Sequence, residues 1–320
     1  MKSRDLAKII NFYARFMPTY TKTGYLARRL TWGSGPKLDF QGETWLVTGA
    51  SAGLGQAIAK AAAEAGANVI AAARSQQRLE AAFSDLKTDV RQRIRLVAED
   101  LSLKSGNQAL VDRMVNEGVK IDVLQNNVGL LLGDMQLTAE GKEVSFATNV
   151  LMHYLLTEGL IAGGALKDDA TIVNMTSGGM YNAPLGFRKL NVTDAEKYSG
   201  KVAYAYAKRA QVALTGYWNQ KYGERGIRCY VTHPGWTKTP GVKTAMPTFW
   251  KIQNVLLRTP LQGADTALWL CATKPPITAE EVIWFDRAAR ETHMYDFTRK
   301  PQCTVEELVA YLEQELESIG

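Results

Sequence analysis

The sequence predicts an α/β domain, doubly wound around a parallel sheet. Three observations carry that expectation. Short apolar runs alternate with helical stretches from about residue 43 onward, a glycine-rich turn separates the first run from the first helix, and no internal repeat or low-complexity tract breaks the rhythm. Strands alternating with helices need crossover connections, which make neighbouring strands parallel and cover both sheet faces with helices.

Taken in order, residues 45–48 read as the first strand, and an alanine-rich helix follows from about Leu54 to Ala65. Gly66 ends it, and residues 67–73 form the second strand. Residues 95–98, 123–126, 171–175 and 228–232 supply the third to sixth strands. Beyond Gly241 the rhythm fades: residues 259–272 read as helical and Trp284-Phe285 as a last strand. Thr304 with Glu307 is a capping box that opens a C-terminal helix through about Glu315. Ahead of the domain, Leu6, Ile9, Ile10, Tyr13, Phe16 and Met17 recur at three- and four-residue steps among Lys2, Arg4, Lys8 and Arg15. This spacing predicts a basic amphipathic helix within residues 1–30, which either packs on the domain or lies on a membrane surface. The expected organisation is an N-terminal helical extension, residues 1–38, and one domain, 39–320, whose part from about 241 serves the substrate side.

With 320 residues, 46% hydrophobic and 22% charged, the chain has ordinary globular composition and can bury a core without disulfides. Three cysteines (Cys229, Cys271, Cys303) and three histidines (His153, His233, His293) show no metal-ligand spacing. No metal site and no disulfide framework are therefore expected, and a reducing, cytoplasmic setting fits. The net charge of +6 suits dinucleotide phosphates or an anionic membrane surface. No nucleic-acid recognition motif accompanies it. No apolar run approaches the roughly 18 residues a spanning helix needs. Arg15 interrupts the first apolar stretch, so no secretory signal is expected.

The turn Thr48-Gly49-Ala50-Ser51-Ala52-Gly53-Leu54-Gly55 stands between a strand and a helix. Glycines there allow a tight turn and let the backbone approach a pyrophosphate, while the helix N-terminus offers free N–H groups to it. This is a Rossmann-type dinucleotide site. An NAD site usually has an acid at the end of the second strand, to bond the ribose hydroxyls. Here that strand ends at Arg74, and no carboxylate follows until Glu80. A guanidinium there suits a 2′-phosphate, so NADP(H) is the expected cofactor.

Tyr204 and Lys208 are four residues apart in a helical stretch and so share a face. A phenol ordinarily titrates near 10, and a nearby ammonium favours the phenolate. The pair makes a plausible general acid/base. Tyr206 has Ala210 at the corresponding position.

The order Gly49…Gly53…Gly55, then Asn126-Asn127-Val128-Gly129, Ser177, Tyr204…Lys208 and Pro234-Gly235…Thr239 resembles the short-chain dehydrogenase/reductase family from about residue 43 to 240. The segments 20–25, 177–180, 233–242, 245–247 and 262–266 extend the likeness towards the branch that contains dehydrogenase/reductase family member 12. The resemblance implies that Ser177 bonds the substrate oxygen, that Tyr204 passes the proton, and that Lys208 lowers the Tyr204 pKa and bonds the nicotinamide ribose. It implies that Asn149 holds a proton-relay water near Lys208. Gly49, Ser51, Gly53, Leu54, Gly55 and Arg74 would bind the cofactor. Asp100 and Leu101 would flank the adenine, Asn127 would line the adenosine side, and Thr237 and Thr239 would contact the nicotinamide end. Val128 and Ala207 depart from the usual alanine and serine at their positions, and the insert 181–200 reads as a loop over the substrate pocket. The expected reaction moves a hydride between NADP(H) and a carbonyl or alcohol. Apolar residues from Met246 to Leu257, including Phe249 and Trp250, suggest a lipophilic substrate or a core or interface role. The alternative is a catalytically slow dinucleotide-binding protein acting through partners or a membrane surface. Self-association into a homo-oligomer is left open.

Overall fold

The computed structural model describes residues 16, 18–33, 35–278 and 281–319, with the side chain of residue 252 excepted. Apolar side chains alternate in direction along its strands and feed two separate cores. In β1 (Thr44–Thr48), Leu46 points to one face while Trp45 and Val47 point to the other. In β2 (Asn68–Ala73), Ile70 and Ala72 join the first core and Val69 and Ala71 the second. The same division holds in β4 (Ile121–Asn126), β5 (Leu166–Met175) and β6 (Arg228–Thr232). A strand buried on both faces needs helices on both sides. Helices Lys104–Asn116, Met152–Ala162, Gly200–Tyr222 and Val305–Glu317 cover the first face. Helices Gly53–Glu64, Gln76–Ala82 and Pro260–Thr273 cover the second.

With β3 (Ile94–Ala98), β7 (Val282–Phe285) and β8 (Ala288–Glu291), the sheet has eight strands in the order β3-β2-β1-β4-β5-β6-β7-β8. Every pairing is parallel except β7 with β8. The order reverses between β1 and β4, where a doubly wound sheet opens a crevice for a ligand. The capping boxes of Thr259 with Gln262 and of Thr304 with Glu307 start the last two long helices. Among the described residues no helix is long and apolar enough to cross a membrane.

Strand β8 is the element that pattern reading misses. It follows a two-residue turn, Asp286-Arg287, with φ of 50° and 57°. Both residues occupy the left-handed region, as a twisted hairpin turn requires, but neither is the glycine or asparagine that signals one. Ion pairs hold the strained turn instead. Arg258 grips Asp286 bidentately at 2.6 and 2.9 Å, with both side chains 1% exposed. Arg28 adds a third bond to Asp286 at 2.6 Å, and Arg287 pairs with Asp265 at 2.7 Å while lying over Trp32.

The same cluster ties the N-terminal segment down. Arg258 also donates to the carbonyls of Tyr20 and Thr19, Lys22 N to that of Leu256, and Trp236 N to that of Tyr20. Phe16, Tyr20 and Tyr25 are buried, and a short helix runs from Lys22 to Arg29. So this end of the predicted amphipathic stretch packs on the domain; Leu6, Ile9, Ile10, Tyr13 and Met17 lie outside the described residues.

Removing one partner of a buried ion pair strands the other charge, at a cost of about 3–5 kcal/mol. Asp286→Ala should lose that much in urea unfolding, and the double variant with Arg258→Met should recover part of it. A loss under about 1 kcal/mol would show that the cluster contributes little.

Candidate active site

Two groups of residues gather at the C-terminal edge of the sheet. The first surrounds the glycine turn. Gly49 and Gly53 have φ of 67° and 59°, which side chains rarely adopt. A methyl group at Gly55 would sit 2.4 Å from the Gly49 carbonyl oxygen and 2.5 Å from Asn127 Nδ2. The helix that begins at Gly53 has no side-chain cap. Its first N–H groups therefore suit an anion, and the cradle fits a dinucleotide pyrophosphate. Thr48 splices this turn to β4: its hydroxyl donates to Gln125 O at 3.0 Å and accepts from Asn127 N and Val128 N at 3.0 and 3.1 Å. Asn127 returns a bond from Nδ2 to Thr48 O at 2.9 Å.

Thr239 lies over the turn, its methyl 3.1 Å from where a Cβ on Gly53 would stand, and its hydroxyl caps the next helix by accepting from Val242 N. Thr237 is buried and donates to Pro234 O at 3.0 Å. Ser51 and Leu54 are half-buried in the turn region. Arg74, exposed, follows directly on β2. Asp100, just beyond β3, accepts from Ser102 N and Oγ at 3.0 and 2.7 Å, and Leu101 beside it is buried. Arg74, Asp100 and Leu101 thus share the sheet edge with the glycine turn.

The second group is Ser177, Tyr204, Lys208 and Asn149. β5 ends at Met175, and Ser177 caps a short 3₁₀ turn by accepting from Gly179 N at 3.2 Å. The same hydroxyl acts on the Tyr204 phenol, favouring its ionised form. The backbone of Gly179 lies against the tyrosine ring, since a methyl there would be 3.4 Å from Cδ1 and Cε1. Lys208 sits one helical turn from Tyr204, its Nζ 5.4 Å from the ring centre. Nζ donates to Met175 O at 2.9 Å and Gln211 Oε1 at 3.2 Å. Thr176 Oγ1 donates to Lys208 O at 2.8 Å, which stitches β5 to the helix a second time. Asn149 falls in a π-helical turn, Ala147–Leu151; its side chain bonds Leu130 N and O and Ser145, and its carbonyl accepts from Gln211. Gly129 is needed beside them, because a methyl would be 2.7 Å from Asn149 Oδ1 and 3.2 Å from Lys208 Nζ.

Burial sets the electrostatics. Lys208 is 3% exposed, and desolvation lowers its pKa from 10.5 to about 7. Burial also raises the Tyr204 phenol, with the Ser177 hydroxyl pulling the other way. Spacing alone assigns the leading effect on Tyr204 to the ammonium; in the folded chain desolvation outweighs it. The phenol is therefore protonated at neutral pH and placed to donate.

Several supporting residues escape pattern reading. Arg209, 1% exposed, reaches back to Ala183 O, Met180 O and Thr292 O, holding the segment after Ser177. The insert is anchored at its far end, where Leu190 is buried and Phe187 stacks on Tyr311 at 4.7 Å. Phe249 packs edge-on against Trp236 at 5.1 Å, and Trp236 against Tyr20 at 6.0 Å. Gln211 and His153 stand three and four residues beyond Lys208 and Asn149, spacings that put them on the same faces. A polar residue at such a spacing is the signal that could have found them.

A family model described as short chain dehydrogenase matches residues 43–188. The chain is 34% identical over 318 residues to human "Dehydrogenase/reductase SDR family member 12", covering 97% of this chain and 98% of the relative. It is 30% identical over 232 residues to bovine "Retinol dehydrogenase 12", covering 71% and 72%. Among solved structures, an uncharacterized protein from Mycobacterium paratuberculosis superposes with a TM-score of 0.67 at 24% identity, covering 87% of this chain and 95% of that one, which supports the fold. The likeness runs the length of the chain: it belongs to the short-chain dehydrogenase/reductase family of nicotinamide-dependent oxidoreductases.

Proposed function

We propose that this chain is an NADP(H)-dependent oxidoreductase that interconverts a lipophilic carbonyl compound and its alcohol. The observation that carries the reading is the grouping of Ser177 and Tyr204 on either side of the Gly179 backbone, with the Lys208 ammonium one turn away, beside a glycine cradle. The glycine turn would hold the pyrophosphate of a dinucleotide, whose nicotinamide would supply or accept the hydride. The chain's own groups do the rest. Ser177 Oγ and the Tyr204 hydroxyl hold the substrate oxygen between them. In reduction, Tyr204 gives its proton to that oxygen as negative charge develops, and Ser177 donates a second hydrogen bond. Lys208 stabilises the phenolate left behind. In oxidation the same groups run in reverse.

Two features support the finer claims. The guanidinium of Arg74 ends β2 where an NAD site would present a carboxylate. A lipophilic substrate fits the aromatic line Phe249–Trp236–Tyr20, and one relative is named for retinol, a lipophilic alcohol. NADPH consumption over retinoid, steroid, quinone and aliphatic carbonyls tests the class; turnover confined to small polar carbonyls would contradict it.

Binding of NADPH and NADH, followed by nucleotide fluorescence, should favour NADPH at least tenfold. Arg74→Ala should remove most of that preference by weakening NADPH, since a hydrogen bond to a charged group contributes about 1.5–3 kcal/mol. Equal affinities in the unaltered chain would overturn the cofactor assignment.

Tyr204→Phe keeps the ring and deletes the proton. Its kcat should fall on the order of 10²-fold or more, with NADPH affinity nearly unchanged. Steady-state turnover close to normal in that variant would refute the proton-transfer role.

A further inference from the structure

Beneath Lys208 lies a buried polar chain that the reaction as proposed does not use. Gln211 and His153 are each 2% exposed and Asn149 is fully buried. Gln211 Oε1 accepts from Lys208 Nζ at 3.2 Å. Its Nε2 lies 2.8 Å from Asn149 O and 3.0 Å from His153 Nδ1. His153 Nε2 in turn lies 2.8 Å from Val128 O.

The proton positions in this chain are forced. An ammonium only donates and a backbone carbonyl only accepts. The amide of Gln211 must therefore turn its oxygen to Lys208 and spend both N–H groups on Asn149 O and His153 Nδ1. His153 must carry its single proton on Nε2, towards Val128 O. Burial, and after it the Lys208 charge, lowers the His153 pKa to about 3, so the imidazole stays neutral. Every amide and imidazole valence is used, and the resulting dipoles all present negative ends to the lysine.

We propose that Gln211 is a positioning residue for Lys208: its amide bridges the ammonium to Asn149 and His153, fixes Nζ beside Tyr204, and keeps the charge on a nitrogen deprived of water. The Met175 carbonyl shares in holding Nζ, at 2.9 Å, and among the described residues Gln211 is the side chain that accepts from it. The groups facing Nζ are Tyr204 on its own helix, the neutral His153 behind Gln211, the Met175 carbonyl from β5, and Gly129 from the β4 loop. Among the described residues no carboxylate bonds it.

The proposal rests on the reading of Lys208 as a cofactor-contacting cation, so the test separates the two. NADPH affinity is measured by fluorescence from pH 6 to 9.5, alongside thermal melting, for the unaltered chain, Lys208→Met, Gln211→Met and Gln211→Glu. Affinity should fall as pH rises through the Lys208 pKa, because the anionic cofactor loses a cation. Lys208→Met should flatten that fall; if it does not, the role of Lys208 fails, and the function reading with it. Gln211→Met keeps the length without the amide, and its midpoint should move down by about one pH unit, the size of a lost hydrogen bond to a charged group. Gln211→Glu should move it up, because the new carboxylate faces the ammonium and favours its charged form. Opposite shifts support the proposal. Shifts of one sign, or none, in folded variants would overturn it, leaving Gln211 a packing residue. Should Gln211→Met not fold, an unmoved midpoint in Gln211→Glu alone would overturn it.

Discussion

Lys208 carries an ammonium group to a place where 3% of the residue meets solvent, and burial there lowers its pKa to about 7. Much of the site's architecture follows from housing that charge. The sharp end of β5 turns the Met175 carbonyl towards it. The Asn149 carbonyl, in a π-helical turn, lies within reach of the Gln211 amide, and such turns recur at functional sites. Gly129 keeps the neighbouring loop clear of Nζ. Because the lysine is stitched to β5 through Thr176 and Met175, Tyr204 one turn earlier is fixed against Ser177 with it.

A second buried charge organises the region around the β7–β8 turn and the N-terminal segment. Arg258 binds Asp286, in the strained β7–β8 turn, and the carbonyls of Thr19 and Tyr20, in the N-terminal segment. Tyr20 then packs on His233, Trp236 and Phe285. A methyl at Gly178, the residue after Ser177, would come within 3.0 Å of the Tyr20 ring. The segment that looks like an appendage in sequence therefore forms the wall behind the serine loop. Arg209 ties the same loop to the strand β8 end through Thr292. Movement of residues 19–28 would reach the proton-transfer groups through one layer of side chains.

Much of this was legible before folding, and the reasons differ by element. Strands β1 to β4 and β6 announced themselves as short apolar runs between helical stretches, and β5 by its apolar second half, residues 171–175. The glycine turn was legible because its conformation excludes other residues, and Tyr204 with Lys208 because four residues make one helical turn. Strand β8 was not, since Asp286-Arg287 is an improbable hairpin turn held only by partners distant in sequence, Arg258, Arg28 and Asp265. Nor was the weight of burial on Tyr204 and Lys208, which depends on what packs around them. The chain from Gln211 through His153 to Val128 joins three segments, and no local pattern reports such a junction.

The central claim is that Lys208 is a charge the fold carries at a cost in stability for the sake of the site. Its pKa is lowered on folding from 10.5 to about 7, so the folded chain bears that cost in full below pH 7. Between pH 7 and 10.5 the unfolded chain holds a proton that the folded chain has released, and stability rises with pH. Urea unfolding of the unaltered chain and of Lys208→Met at pH 6.5, 8 and 9.5 measures this directly. The stability of the methionine variant relative to the unaltered chain should be greatest at pH 6.5 and shrink by up to about 1.4 kcal/mol per pH unit above 7. A difference that stays constant across the series would contradict the buried-charge account of the site.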